Sequence, residues 1–262
     1  MRILLTNDDG INARGLHSLI KAISPIAELY VVAPDQERSG TGHCITVFDP
    51  LKVVTKDIPE VKNAWVVSGT PVDCVKLGLC RLIKDEIDLV VSGINHGPNL
   101  GTDVLYSGTV SAAAEGVILG YPAMAVSLNS YQEDMDFTLA AKLVKNVIKT
   151  IMRNGIEKQT LLNINIPAVP SHAIRGIRIT KLGVRNYDNL FEERQDPRGN
   201  TYYWLGGGVV NDEQDEDSDV YAANKNYISI TPIHLDLTDY RLIEKYQRTF
   251  KKYLEYFSRR DD

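Results

Sequence analysis

Apolar residues in the first two-thirds of the chain follow two spacings: short unbroken runs, and longer stretches that repeat every three or four residues. The runs predict buried strands and the stretches predict helices with one apolar face. The predicted strands are 2–6, 28–33, 45–48, 51–55, 64–67, 87–92, 123–128 and 161–166. The predicted helices are 15–24, 111–119, 137–154 and one that begins at Thr70, where Pro71 and Asp73 suit the first turn. This alternation predicts an α/β fold, Rossmann-like, with a mainly parallel sheet and helices on both faces.

The pattern changes after about residue 167. Short strands at 177–181, 202–205 and 227–232 predict a hairpin-rich extension, and 239–258 predicts a C-terminal helix with little apolar surface of its own. We therefore divide the chain into a Rossmann-like core, 1–166, where we expect any catalytic site, and an extension, 167–262, where we expect contacts with other subunits and part of which returns to the core. Residues 212–219 include six acidic residues and predict a solvated, mobile loop.

Composition excludes several classes of partner. The formal net charge of -5, without a basic patch, argues against binding to a nucleic-acid polymer. No apolar run approaches the roughly 18–20 residues that span a bilayer, and the N-terminus lacks a signal peptide. The cysteines Cys44, Cys74 and Cys80 lack metal-ligand spacing, so we expect small buried side chains in a reducing compartment. The expected location is the cytoplasm, with no membrane partner.

Two neighbouring carboxylates, Asp8 and Asp9, follow the first strand. Neighbouring side chains on a strand point to opposite faces, but at a strand end, where Gly10 permits a sharp turn, they can converge. Such a pair repels itself and favours a hard divalent cation such as Mg²⁺, Mn²⁺ or Ca²⁺. A solvated acidic turn explains the same residues equally well.

Further polar side chains follow other predicted strands. Ser39 and Asn95 lie in loops that share the sheet edge with the acidic pair, where each is a potential oxygen ligand or an ordinary turn residue. Hydroxyls and a glycine at 107–109 precede an Ala-rich helix. They predict either a phosphate site at the helix N-terminus or simple N-capping.

Motifs of several enzyme classes are absent from the sequence. It lacks the P-loop pattern, the G-x-G-x-x-G dinucleotide fingerprint, the G-x-S-x-G elbow and H-E-x-x-H. The candidate chemistry that remains is carboxylate, hydroxyl and amide groups around a hard cation, beside a phosphate site.

Five segments closely resemble the successive motifs of the stationary-phase survival protein SurE family. In chain order they are ILLTNDDGINARG, VVAPDQERSGTG, SGTPVDCVKLGL, LVVSGINHGPNLGTDVLYSGTVSAAAEG and SDVYAANKNYISITPIHLDLT. They extend from Ile3 to Thr238, so the resemblance covers nearly the whole chain.

The resemblance implies a metal-dependent nucleotidase that hydrolyses nucleoside 5′- and 3′-monophosphates, with activity on short polyphosphate in some members. It also implies a C-terminal extension exchanged between subunits of a homodimer or homotetramer. The implied ligands of one Mg²⁺ or Mn²⁺ per subunit are Asp8, Asp9, Ser39 and Asn95. The implied phosphate contacts are Asn95, Ser107, Gly108 and Thr109.

Within this resemblance, we expect water to be the nucleophile, made more acidic by the ion, and Asp8 or Asp9, with Asp9 favoured, to act also as acid or base. A covalent aspartyl phosphate is the alternative, although the D-x-D spacing typical of that chemistry is missing. Two other functions remain open: a broad-specificity acid phosphatase or exopolyphosphatase, and a nucleotide-binding sensor without catalysis.

Overall fold

The chain alternates between strands and helices for most of its length. The computed structural model describes residues 1–155, 157, 160–188, 191–210 and 215–258. Within them the strands are β1 (Arg2–Thr6), β2 (Glu28–Pro34), β3 (Val53–Lys56), β4 (Asn63–Val67), β5 (Leu89–His96), β6 (Ala123–Asn129), β7 (Leu161–Pro167), β8 (Ile177–Ile179), β9 (Asn186–Tyr187), β10 (Phe191–Gln195), β11 (Thr201–Leu205), β12 (Val209–Val210) and β13 (Ile228–Ile233). The α-helices are α1 (Arg14–Ile23), α2 (Pro71–Leu77), α3 (Gly108–Ile118), α4 (Thr138–Asn154), α5 (Asp219–Asn224) and α6 (Tyr240–Ser258).

Nine of the described strands form one sheet, in the order β3-β4-β2-β1-β5-β6-β7-β13-β8. All neighbours from β4 to β7 are parallel. β3 runs antiparallel to β4, and β13 runs antiparallel to β7. The predicted Rossmann-like α/β architecture with a mainly parallel sheet is therefore confirmed.

The three middle residues of the central strand β1 are all apolar because they are buried on both faces of the sheet. Ile3 and Leu5 pack into the hydrophobic cluster under α1 and α4, whereas Leu4 joins the cluster on the opposite face under α2 and α3. Successive strand residues point to opposite faces, and helices cover both faces here, so apolar side chains are favoured at all three positions. The acidic pair follows this strand directly and is therefore held against the core.

The predicted strand 45–48 is wrong. This segment is a loop in which the Thr46 N–H and hydroxyl donate to the carboxylate of Asp73, at 3.1 and 2.6 Å. The same carboxylate accepts from the Thr70 N–H at the start of α2 and completes the predicted helix cap. The segment thus bonds to a side chain on a helix start rather than to a neighbouring strand.

The extension contributes two strands to the sheet: β13 pairs with β7 on one side and with β8 on the other. β10 and β11 form a separate hairpin, and β9 pairs with β12. We refer to β9–β12 as the arm. The division of the chain at residue 166 remains a prediction.

The described residues of the acidic segment, 215–219, include three carboxylates with defined partners. Residues 212–214 lie outside the described part of the chain. Asp215 and Asp217 pair with Lys181 at 2.7 and 3.0 Å, and the buried carboxylate of Asp219 accepts from the backbone N–H groups of Gly101 and Gly183 at 2.9 and 2.8 Å. A solvated loop is therefore wrong for Asp219, because two N–H groups from distant loops require its carboxylate as acceptor.

The expectation of three buried cysteines is also wrong. Cys74 on α2 is buried, whereas Cys44 and Cys80 are exposed. Cys44 lies in the loop that replaces the predicted strand 45–48, and Cys80 follows α2 on its solvent side. Among the helices that the structure describes, none has both the length and the apolar character needed to cross a membrane.

Candidate active site

The candidate site lies where the strand order reverses direction. From β1 the chain continues to β2 and β4 on one side of the sheet, and from β5 it continues to β6 and β7 on the other. Ligands of open α/β sheets bind in the crevice beyond the carboxyl ends of the two strands at such a reversal. Asp8 and Asp9 follow β1, and Asn95 lies near the end of β5. The fold therefore brings residues 86 positions apart in sequence to one crevice.

Asp8 is held by the first turn of α3. Its side chain is buried, the residue being only 4% exposed, and its Oδ1 accepts a hydrogen bond from the Thr109 hydroxyl. A Cβ atom at Gly108 would lie 2.9 Å from Asp8 Oδ2, so only glycine allows this approach. Burial raises the pKa of Asp8, which the Thr109 hydroxyl opposes. The carboxylate is thus fixed in position and short of positive charge.

Asp9 is held from the other side, by β5. Its Oδ2 accepts from the backbone N–H of His96 at 3.3 Å. Burial, followed by the negative charges of Asp8 and Glu37, raises the pKa of Asp9 to about 7, while the His96 N–H acts in the opposite sense. A cation between the two carboxylates would relieve this repulsion. The donor set therefore fits a hard divalent ion.

Ser39 and Asn95, the two uncharged candidate ligands, lie at the same edge of the sheet as the acidic pair. The backbone N–H of Arg38 donates to the Asp8 carbonyl at 2.7 Å, which brings the loop with Ser39 beside the acidic pair. The Ser39 hydroxyl donates to Glu37 at 2.8 Å, and the Asn95 amide donates to the carbonyl of Gly97 at 2.8 Å. Asn95 lies within β5, not in a loop as predicted, because an irregularity between Ser92 and Asn95 lets the strand continue.

In the part of the chain that the structure describes, no three His, Cys, Asp or Glu side chains are grouped as a metal cluster. The four predicted metal ligands include only two carboxylates, so binding of the ion would depend equally on the uncharged oxygens of Ser39 and Asn95.

The hydroxyls of the 107–109 turn already have structural partners. Ser107 is the N-cap of α3 and accepts from the Val110 N–H at 3.1 Å, and Thr109 donates to Asp8. The capping alternative is therefore correct for Ser107. A phosphate at this turn would be met chiefly by backbone N–H groups at the positive end of the helix.

A further set of contacts surrounds residues 38–46, which we call the strap. Gly42 N–H donates to the carbonyl of Tyr106 at 3.0 Å, and the Thr70 hydroxyl donates to the carbonyl of Cys44 at 2.7 Å. His43 Nε2 lies 3.0 Å from Oε2 of Glu115, a buried carboxylate on α3. The strap thus links the loop of Ser39 to the helix that begins at the 107–109 turn.

Three groups around the site were not among the predicted site residues: Glu115, Glu37 and the backbone N–H of His96. Glu115 offered one signal, because it is a single carboxylate in a helix segment of small and apolar residues. Its second partner is Lys76 on α2, at 2.8 Å. The His96 backbone gave no recognisable signal, because its contact with Asp9 depends on how β1 pairs with β5. Glu37 gave none because its charge acts on Asp9 only once the loops after β1 and β2 lie together.

Both the sequence and the fold of this chain match known proteins. The family model described as Survival protein SurE matches residues 3–189. A protein named 5′-nucleotidase SurE from Syntrophomonas wolfei is 64% identical over 262 residues, which cover 100% of this chain and 99% of the relative. A protein of the same name from Pelotomaculum thermopropionicum is 53% identical over 253 residues, with 96% of each chain covered. The crystal structure of the SurE protein from Aquifex aeolicus has a TM-score of 0.83 and 39% identity, and the match covers 95% of this chain and 99% of that one.

Proposed function

This chain belongs to the survival protein SurE family, and we propose that it is a 5′-nucleotidase, which hydrolyses nucleoside 5′-monophosphates to nucleoside and inorganic phosphate. The observation that carries the proposal is the pair of adjacent carboxylates, the buried Asp8 and the half-buried Asp9, beside the N-terminus of α3. Carboxylates alone repel a phosphate, so their position next to an anion site makes chemical sense with a divalent cation between them.

The proposed ligands of one Mg²⁺ or Mn²⁺ ion are Asp8, Asp9, Ser39 and Asn95. A bound divalent ion supplies charge neutralisation on the phosphoryl group and lowers the pKa of a coordinated water. The Thr109 hydroxyl and the His96 N–H hold the two carboxylates in fixed orientations, so that their geometry is set before substrate arrives.

The remaining groups orient the phosphoryl group and move protons. Backbone N–H groups of the 107–109 turn, together with the Asn95 amide, bind phosphoryl oxygens at the positive end of α3. Asp9 is the favoured proton carrier, because it is less buried than Asp8 and so is more accessible to water and substrate. Water attacks phosphorus and the ester oxygen of the nucleoside leaves with a proton.

Phosphate release from purified protein tests the proposal. We expect turnover of adenosine 5′-monophosphate with Mg²⁺ or Mn²⁺ and its loss after chelation. Release from no monophosphate under either metal would leave a nucleotide-binding sensor as the function. Faster turnover of inorganic polyphosphate would favour an exopolyphosphatase instead. Activity on 3′-monophosphates, cytoplasmic location and assembly as a homodimer or homotetramer remain predictions.

A further inference from the structure

Tyr131 lies in the loop between β6 and α4, at the same edge of the sheet as the acidic pair. A Cβ atom at Gly97 would lie 2.5 Å from Cε1 and 3.1 Å from Cδ1 of Tyr131. The ring therefore lies directly against the Gly97 backbone, two residues beyond Asn95. Tyr131 nevertheless remains 71% exposed, so most of the ring surface is open to solvent.

The backbone around this tyrosine is fixed to the residues of the site. His96 Nε2 lies 2.7 Å from the carbonyl oxygen of Gln132, and the Gly97 N–H donates to the carbonyl of Leu128 at 3.1 Å. The N–H of the same His96 donates to Asp9. One residue thus connects Asp9 to the chain next to Tyr131, and the ring lies against Gly97 without any ligand present.

We propose that Tyr131 forms one wall of a nucleobase subsite, in which its exposed ring stacks on the base of the nucleotide. This assignment rests on the proposed function, since it requires the phosphate to lie between the acidic pair and the start of α3. A nucleoside monophosphate places its base one ribose away from that phosphate. Aromatic rings stack on any base, and a tyrosine side chain, with only two rotatable bonds, loses little entropy on binding.

The ring accounts for affinity without selecting one base. Each purine and pyrimidine presents a flat π-face to a stacking partner, whereas selection requires hydrogen bonds to the base edge. We therefore assign Tyr131 to recognition of nucleotides as a class over phosphate esters without a base.

Two substrates separate base binding from catalysis. Adenosine 5′-monophosphate carries the base, and ribose 5-phosphate is the corresponding ester without it. For Tyr131→Ala we expect the KM for the nucleotide to rise about tenfold at nearly constant kcat, because stacking acts on ground state and transition state alike. The KM for ribose 5-phosphate is expected to stay within about twofold of the wild-type value. Tyr131→Phe keeps the ring and should restore nucleotide binding.

Tyr106, 69% exposed and next to Ser107, is the competing platform. If Tyr106→Ala raises the KM for the nucleotide selectively and Tyr131→Ala does not, the assignment is wrong. Equal changes for both substrates in Tyr131→Ala would also overturn it. A wild-type enzyme with the same kcat/KM for both esters has no base subsite but is still a phosphatase. A wild-type enzyme that hydrolyses neither would disprove the proposed function and the subsite together.

Discussion

At the scale of single residues, the negative charges of the adjacent carboxylates of Asp8 and Asp9 repel each other. For Asp8→Asn and Asp9→Asn we expect phosphate release to fall more than about a hundredfold, because the amide keeps the shape but removes the charge that binds the cation. Without metal, both variants should unfold at or above the wild-type temperature, since the repulsion is gone. Phosphate assays and thermal melts with and without Mn²⁺ measure both effects.

The melts give a readout that does not depend on turnover. An ion that binds only the folded state raises the melting temperature of the wild type, and this increase should vanish in both variants. Asp57→Asn, which changes an exposed carboxylate after β3, should keep the full increase. Near-normal activity in both site variants would dismiss the ligand assignment.

At the scale of elements, the strap joins α2, α3 and the loop of Ser39. His43→Ala removes the partner through which the strap contacts Glu115 on α3. We expect kcat to fall about tenfold or more, because a small displacement of a loop that carries a site residue is costly for positioning. The concentration of Mn²⁺ that gives half-maximal activity should also rise.

Lys76→Met is the matched control, since it removes the other partner of Glu115 without touching the strap. Its melting temperature should fall about as much as that of His43→Ala, while kcat and the Mn²⁺ requirement stay close to the wild type. If the two variants affect kcat equally, the strap has no role beyond stability. His43→Gln keeps a donor for Glu115 and should recover part of the activity.

At the scale of the whole molecule, the surface of α6 favours assembly. Leu242, Ile243, Tyr246 and Phe250 are exposed at positions that share one face of the helix. We predict that the chain forms an oligomer through exchange of its C-terminal region. Removal of residues 239–262 should then lower the mass in solution, measured by light scattering, and leave the Mn²⁺-induced rise in melting temperature intact.

A single substitution on α6 tests the same assembly without removing the whole helix. Tyr246→Glu places a charge on the apolar face and should weaken assembly, whereas Arg248→Ala changes the opposite face and should not. An unchanged mass in solution for both the shortened chain and Tyr246→Glu would disprove assembly through exchange of the C-terminal region.

The features that sequence predicted correctly depend on local chemistry. The helix start at Thr70 follows from three neighbouring residues, and β1 follows from an apolar run bounded by an acidic turn. The features that it missed depend on contacts between distant positions. Asp73 binds Thr46, Thr109 binds Asp8 across 101 positions, and Asp219 binds Gly101 across 118. No local pattern encodes such pairs, because they exist only once the sheet has brought the loops together.

The position of β1 in the middle of the sheet determines how readily its backbone amide hydrogens exchange with solvent. Its backbone amides lie between β2 and β5 and beneath helices on both faces, so their hydrogens should exchange with solvent only when the whole sheet unfolds. The arm lies outside this sheet, and its strands are exposed, so its amides can exchange through local fraying. A cation at the end of β1 would therefore slow exchange throughout the sheet, while the arm would continue to open at its own rate.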